Sequence, residues 1–197
     1  MRTAIRESVR VAIRSSIRTS GGGGGGAVDW RYKFDGIDDY IQLPTINLSI
    51  GDTVTFKFTA LLSRTPSSFM YIMDGINSSN RFGIAFGNSS NVWYSNGSYS
   101  FTVDGVSKSP GDAIPLDGLE HVVVCTMSQA LVLATVGSRF THDYVFESFV
   151  WDIQVNDGAV YNYQVNDGWS VNPAISNTGS GANATLINAQ ESGWYEV

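Results

Sequence analysis

Sulfur, imidazole and charge are all scarce in this chain. Of its 197 residues one is cysteine and two are histidine. That excludes a disulfide framework and a cysteine cluster for zinc, and it leaves a histidine-based metal site short of ligands. Charged residues make up only 15%, against roughly 25% in an average soluble domain. Lys and Arg number 12 against 18 Asp and Glu, a net charge of −6. Nucleic acid is therefore not the expected ligand, since its phosphates have to be neutralised by basic side chains. No stretch reaches the roughly 18 apolar residues of a membrane span, and the N-terminus lacks the apolar core of a signal peptide. The expectation is a chain made and folded in a cytoplasm. Cys125 lies in the apolar run His121-Val-Val-Val-Cys-Thr-Met127, which suits a small buried hydrophobe.

Gly, Ser, Asn and Thr take the place of the missing charge, with 12% aromatics. Turn formers and aromatics together suit short strands joined by many loops. The charge is also divided along the chain. Residues 1–26 carry five Arg and one Glu, or +4, and the remainder carries seven basic against 17 acidic residues, or −10.

The first 20 residues repeat a four-residue unit of small, branched apolar, Arg and variable residues. On a helix, Ile5, Val9, Ile13 and Ile17 form one stripe, with Arg6, Arg10, Arg14 and Arg18 beside it. This amphipathic helical arm is the preferred reading. A strand instead places the Ile and Val residues on one face and every Arg on the other. Either form is marginal alone, because a short segment meets the cost of nucleation with little packing in return. It reads as an anchoring or oligomerisation element for a complementary surface. Gly21, Gly22, Gly23, Gly24, Gly25 and Gly26 follow as a hinge, spanning roughly 13 Å as a flexible coil. The domains are thus a basic arm (1–20), a poly-Gly hinge (21–26) and a body (27–197).

Within the body, short runs of two-residue alternation recur between turn clusters, which marks an all-β domain. The expected strands are 32–34, 40–43, 53–62, 69–74, 81–86, 91–95, 99–103, 121–127, 131–136, 149–155 and 193–197. In the third of these, Val54, Phe56, Phe58 and Ala60 share one face while Thr53, Thr55, Lys57 and Thr59 share the other. Such a sheet has one face in the core.

The segment Tyr32-Lys-Phe-Asp-Gly-Ile-Asp-Asp-Tyr-Ile-Gln-Leu-Pro44 resembles the opening of laminin-G-like, concanavalin A-like domains. Three later segments agree in order: Thr53–Phe58, Leu119–Thr126 with its His before alternating valines, and Phe149–Val155. The resemblance covers about residues 28–197 and implies a two-sheet antiparallel jelly-roll sandwich. The arm, the glycines and the closing segment (Val165–Trp169 through Asn183–Asn188 to Trp194) are similar to tailed-bacteriophage virion proteins. That likeness implies a non-enzymatic structural or adhesion protein on the virion exterior, a tail, fibre or capsid-decoration component. Its arm would bind other virion proteins, and the chain would be a homo-oligomer. A dedicated glycan-binding module is the alternative, and a carbohydrate-active enzyme a weaker one.

The residues bear on each of these. Glycoside hydrolysis needs two carboxylates flanking the bond. The five Glu (Glu7, Glu120, Glu147, Glu191 and Glu196) have no Asp two residues away, so the Glu-x-Asp-x-x-Glu strand of the glucanase relatives is missing and no catalytic residue is expected. His121 reads as a strand-end histidine; His142 sits in a polar loop with no nucleophile signature. The resemblance implies calcium as a candidate, held by Asp35, Asp38 and Asp39, or by the loops with Asn156, Asp157, Asn166 and Asp167; each set also makes good turns. A host surface glycan would meet aromatic faces beside amides, with Trp93, Tyr94 and Asn96, or Tyr161, Tyr163 and Trp169, as candidates.

Overall fold

A computed structural model describes residues 30–60, 69–76, 78, 81–86, 91–141, 147–163, 174–188 and 193–196. The strands in chain order are β1 (Trp30–Asp35), β2 (Tyr40–Leu48), β3 (Thr53–Thr59), β4 (Met70–Asp74), β5 (Gly83–Phe86), β6 (Trp93–Asn96), β7 (Tyr99–Val103) and β8 (Val106–Lys108). They continue as β9 (His121–Met127), β10 (Leu131–Val136), β11 (Glu147–Val155), β12 (Tyr161–Tyr163), β13 (Ala174–Ile175), β14 (Ala184–Ile187) and β15 (Trp194–Glu196). They build an all-β sandwich of two antiparallel sheets. One runs β15-β1-β11-β3-β9-β7-β8, with β12 added on β11; the other runs β13-β14-β2-β10-β4-β5-β6. The arm and the hinge lie outside the described residues.

Alternation decides which side chains meet between the sheets. Val54, Phe56 and Phe58 of β3 are fully buried while the intervening Thr and Lys side chains are not. Val123, Cys125 and Met127 of β9 are buried opposite Phe101 and Val103 of β7. Rings bridge the two layers. Phe58 meets the indole of Trp93 edge-on at 5.5 Å, Phe86 meets it at 5.9 Å and Phe101 at 5.6 Å. Two rings come from each sheet, and edge-to-face geometry adds roughly 0.5–1.5 kcal/mol per pair beyond burial.

Two strands change the phase of their alternation, each by a recognisable device. In β2 the buried residues are Ile41 and Leu43, then Ile46 and Leu48. Between them Leu133 faces Ile46 but Thr135 faces Gln42, so Leu43, Pro44 and Thr45 oppose Ala134 alone. Pro44 has no N–H to lose at such a bulge. The Gln42 amide donates to the carbonyls of Leu43 (2.9 Å) and Ala134 (3.0 Å), filling the gap in the ladder with a side chain. In β11, Trp151 pairs with Lys57 but Gln154 pairs with Thr55. The extra residue includes Asp152 at φ 49, and the resulting bulge lets Val150, Ile153 and Val155 all face inward.

Several expected boundaries hold: β7, β9 and β10 match their predicted ranges. The 53–62 strand ends at Thr59, and Arg81 stands outside β5 as an isolated bridge to Val132. Four strands were not expected: β8, β12, β13 and β14.

Candidate functional site

The Asp35–Asp39 turn is built inward. Asp39 is 2% exposed and its carboxylate accepts the Tyr32 hydroxyl proton at 2.7 Å and the Asp35 N–H at 3.1 Å. Burial pushes its pKa up to about 7, with the charge of Asp35 adding to the rise and the Tyr32 hydrogen bond opposing it. Asp35 instead accepts from the Ile37 N–H, while Asp38 is exposed. Asp35 and Asp39 lie close enough for their side chains to interact, with Asp38 turned to solvent. Among the described residues no three His, Cys, Asp or Glu side chains are gathered to hold a metal ion. In the second candidate set, Asn156, Asp157 and Gly158 form one left-handed turn with φ of 49, 59 and 79. The Asn156 amide accepts from the Thr53 N–H and donates to Asp52. Asn166, Asp167, Trp169 and His142 lie outside the described residues.

The aromatic candidates separate. Trp93 is 1% exposed and lies between the sheets, so its ring offers no face to a ligand, contrary to the expectation. Tyr94, its neighbour, points to the outer face of the seven-stranded sheet. There its ring lies tilted by 35° against Phe69 with centroids 4.4 Å apart and approaches Tyr71 at 6.4 Å. Asn96 is on the same strand and alternates with Tyr94 onto that face. Tyr161 belongs to the other sheet and stacks on Tyr163; Tyr163 is buried and donates its hydroxyl to the Ala182 carbonyl.

Sequence reasoning missed a buried polar cluster beside the Tyr94 shelf. Asp74 and Arg81 are 0% and 5% exposed, with Arg81 Nη1 3.3 Å from Asp74 Oδ2. Arg81 also donates to the Tyr71 hydroxyl at 2.9 Å, and its guanidinium lies over the Phe140 ring at 5.1 Å. Asp74 accepts from the N–H groups of Gly75 and Phe140. Burial pushes its pKa up to about 6 against the pull of these donors and of Arg81. Outer-face β4 and β5 residues such as Tyr71 and Ala85 are buried too. The lack of polar alternation in Phe69–Met73 and Ile84–Phe86, matched by the continuous burial of β4 and β5, is the sequence signal for this second, smaller layer.

Strands β7 and β8 are joined by Asp104-Gly105, both with positive φ (51 and 76), the conformation of a two-residue type I′ hairpin, and the loop after β8 hydrogen-bonds to Trp93 of β6 through Gly111 and Asp112. Beside this turn His121, the first residue of β9, is held between two carboxylates. Its Nδ1 lies 2.6 Å from Asp104 Oδ2 and its Nε2 2.9 Å from Asp117 Oδ1. Both ring nitrogens have to donate, which requires the imidazolium. Partial burial alone would lower its pKa, but the two carboxylate hydrogen bonds outweigh that and raise it. The same bonds to His121 lower the pKa values of Asp104 and Asp117. So clamped, His121 has no lone pair to offer as a base, and it ties the β7–β8 turn to the loop before β9. A groove of about 320 Å3 opens here, with Val103, Val106, Ala113, Ile114 and Pro115 as apolar wall and Asp104, Lys108 and His121 as polar wall. Cys125, four residues further along β9, is fully buried and its thiol pKa is raised by burial, as expected of an inert core residue.

Comparison with known proteins returned no match: no family model, no curated protein and no solved structure is similar to the chain at a significant level. Among the described residues no helix is long and apolar enough to cross a membrane.

Proposed function

We propose that this chain is a non-enzymatic structural and adhesion protein of a phage-like virion, its sandwich of the laminin-G-like jelly-roll kind. Residues 1–20 anchor it, Gly21–Gly26 let it swivel, and residues 27–197 are displayed on the exterior. The observation that carries the reading is where the core comes from. Among the described residues the buried side chains run from Tyr32 to Leu186 and form one continuous core, and the arm's apolar stripe is assigned to a partner. The opposite charges of the two parts support the same division. The contact between Tyr32 and Asp39 supports the finer fold reading, because it gives a physical reason for the Tyr-x-x-Asp-Gly-x-Asp-Asp opening.

The test is deletion of residues 2–20 in the producing host, followed by mass spectrometry of purified particles. The truncated chain should fold yet be missing from particles; its undiminished presence there would refute the anchor.

The alternative, a glycan-binding head, is favoured by one observation: the half-buried, tilted Phe69–Tyr94 ring pair beside Asn96. Aromatic faces beside amides suit a sugar ring. A glycan array with and without calcium, repeated with Tyr94→Ala, tests it. Binding that survives Tyr94→Ala would remove the shelf from the reading.

A further inference from the structure

We infer that residues 115–119 form a proton-operated strap, held shut by the His121 imidazolium and released when that ring loses its proton. The segment leaves the edge of β6 at Ile114, whose N–H donates to the Asn91 carbonyl, and rejoins the sheet at β9. Among the described residues, no backbone hydrogen bond ties residues 115–119 to the rest of the chain. The Leu119 N–H turns back on Asp117 Oδ1 at 2.9 Å, a bond internal to the strap. Leu116 packs against the core and Leu119 is 63% exposed. Among the described residues, the strap's one polar tether outward is the 2.9 Å contact of Asp117 Oδ1 with His121 Nε2.

The two carboxylates on His121 are not equally free to leave. Asp104 is fastened to β9 twice more: its Oδ1 accepts the Val122 N–H at 2.9 Å, and its own N–H donates to the Val122 carbonyl. Asp117 has no such hold. A neutral imidazole carries one N–H. Nδ1 keeps it, because Asp104 lies at 2.6 Å from Nδ1 and is fixed there, against 2.9 Å for Asp117 from Nε2. The Nε2 lone pair then faces a carboxylate oxygen with no proton between them, and the strap lets go.

Few other charges bear on the ring among the described residues. Lys108 of β8 lines the same groove. Glu120, the preceding residue, is taken by Lys57 of β3, which also holds Asp152. From β3 the Phe58 ring covers the imidazole at 5.6 Å. Burial works against the imidazolium, and the hydrogen bonds to Asp104 and Asp117 overcome it, so its pKa is raised. The strap is therefore closed below the ordinary histidine value and opens as pH rises through the raised one. Pro115 at the strap's root and Val103 and Val106 of the hairpin line one groove, so the same proton sets how firmly these walls are held together.

A nitroxide on Leu119→Cys in the full-length chain tests this, read by electron paramagnetic resonance between about pH 5 and 9. Cys125 is buried and does not take the label. The His121 midpoint comes from NMR of its ring in the same chain. The label's correlation time should shorten at least about threefold, with its midpoint at that of His121. A label on Val106→Cys, on the hairpin, should not change. Asp117→Ala should leave the strap loose at every pH. Asp117→Asn should keep it tied throughout, because an amide can accept from Nε2–H or donate to the Nε2 lone pair. A label that ignores the His121 midpoint, loosening at Val106 instead, or a pH response that persists in Asp117→Ala overturns the inference. Should Asp117→Ala fail to fold, a pH-dependent label in Asp117→Asn overturns it equally.

Discussion

Replacing Asp39 by Asn should flatten the pH dependence of folding stability. Asp39 is buried, and its pKa is pushed up to about 7 from an ordinary 3.8. A folded-state pKa above the unfolded value means that the folded protein binds the proton more tightly. The stabilisation is therefore complete below about pH 3.8 and is lost as pH rises through about 7. Integrated from pH 5.5 to 8, this single group makes the protein less stable by about 2 kcal/mol. Asn keeps the shape, can accept from the Asp35 N–H and donate to the Tyr32 oxygen, and cannot ionise. Urea unfolding of wild type and Asp39→Asn at pH 5.5, 6.5, 7.5 and 8 measures the difference. The wild type should lose about 2 kcal/mol more than the variant across this range. Parallel stability curves would refute the reasoning, because they would mean that Asp39 is as well solvated folded as unfolded.

The clamp at His121 is expected to act with the same sign. Its raised pKa stabilises the fold below its ordinary value of about 6.5 and ceases to as pH rises past the raised one. A two-dimensional NMR titration should show its ring titrating late in the wild type and near the ordinary value in Asp104→Asn. Trp93→Ala should cost roughly 3–5 kcal/mol in denaturant unfolding, as for other buried aromatic truncations; a loss under 1 kcal/mol would mean the indole is not in the core. Arg81→Met leaves Asp74 buried without its partner and should cost about 3–5 kcal/mol, whereas Lys57→Met, a half-exposed partner of Glu120 and Asp152, should cost about 1 kcal/mol or less. Gly105→Ala meets no neighbouring atom and is opposed only by its φ of 76, so about 1 kcal/mol is expected. Gly137→Ala would also drive a methyl to 2.6 Å from the Phe34 ring and should cost clearly more in the same unfolding assay.

What was legible in the sequence follows from how much pattern each segment carries. Strand β9 has seven residues of nearly unbroken apolar character and β3 has clean alternation, so both were found, and β3 with the right faces. Strands β12 and β13 have three and two residues, too short for any period to show. Strand β8 has only Val106-Ser-Lys108, yet the Asp104-Gly105 dipeptide between two valines was a usable hairpin signal. Trp93 was turned the wrong way because three apolar or aromatic residues in a row, Val92, Trp93 and Tyr94, carry no phase; only its pairing with Phe86 across the sheet fixes its direction. The bulges at Pro44 and Asp152 reset alternation in mid-strand, which a period-two reading cannot follow. Asp39 reads as one more turn acid until the fold brings the Tyr32 hydroxyl against it. The Asp74–Arg81 pair is formed by a chain reversal between β4 and β5 and has no local signature.

The central claim is that residues 30–196 fold as a self-sufficient sandwich and that residues 1–20 gain order only from a partner. Hydrogen–deuterium exchange on the dilute, monomeric chain and on the same chain in its assembly tests this most directly. The account predicts unprotected amides over residues 1–20 in the monomer, protected amides there in the assembly, and equal protection of β3, β9 and β10 in both. An arm already protected in the monomer, or a sandwich that acquires its protection only on assembly, would contradict it.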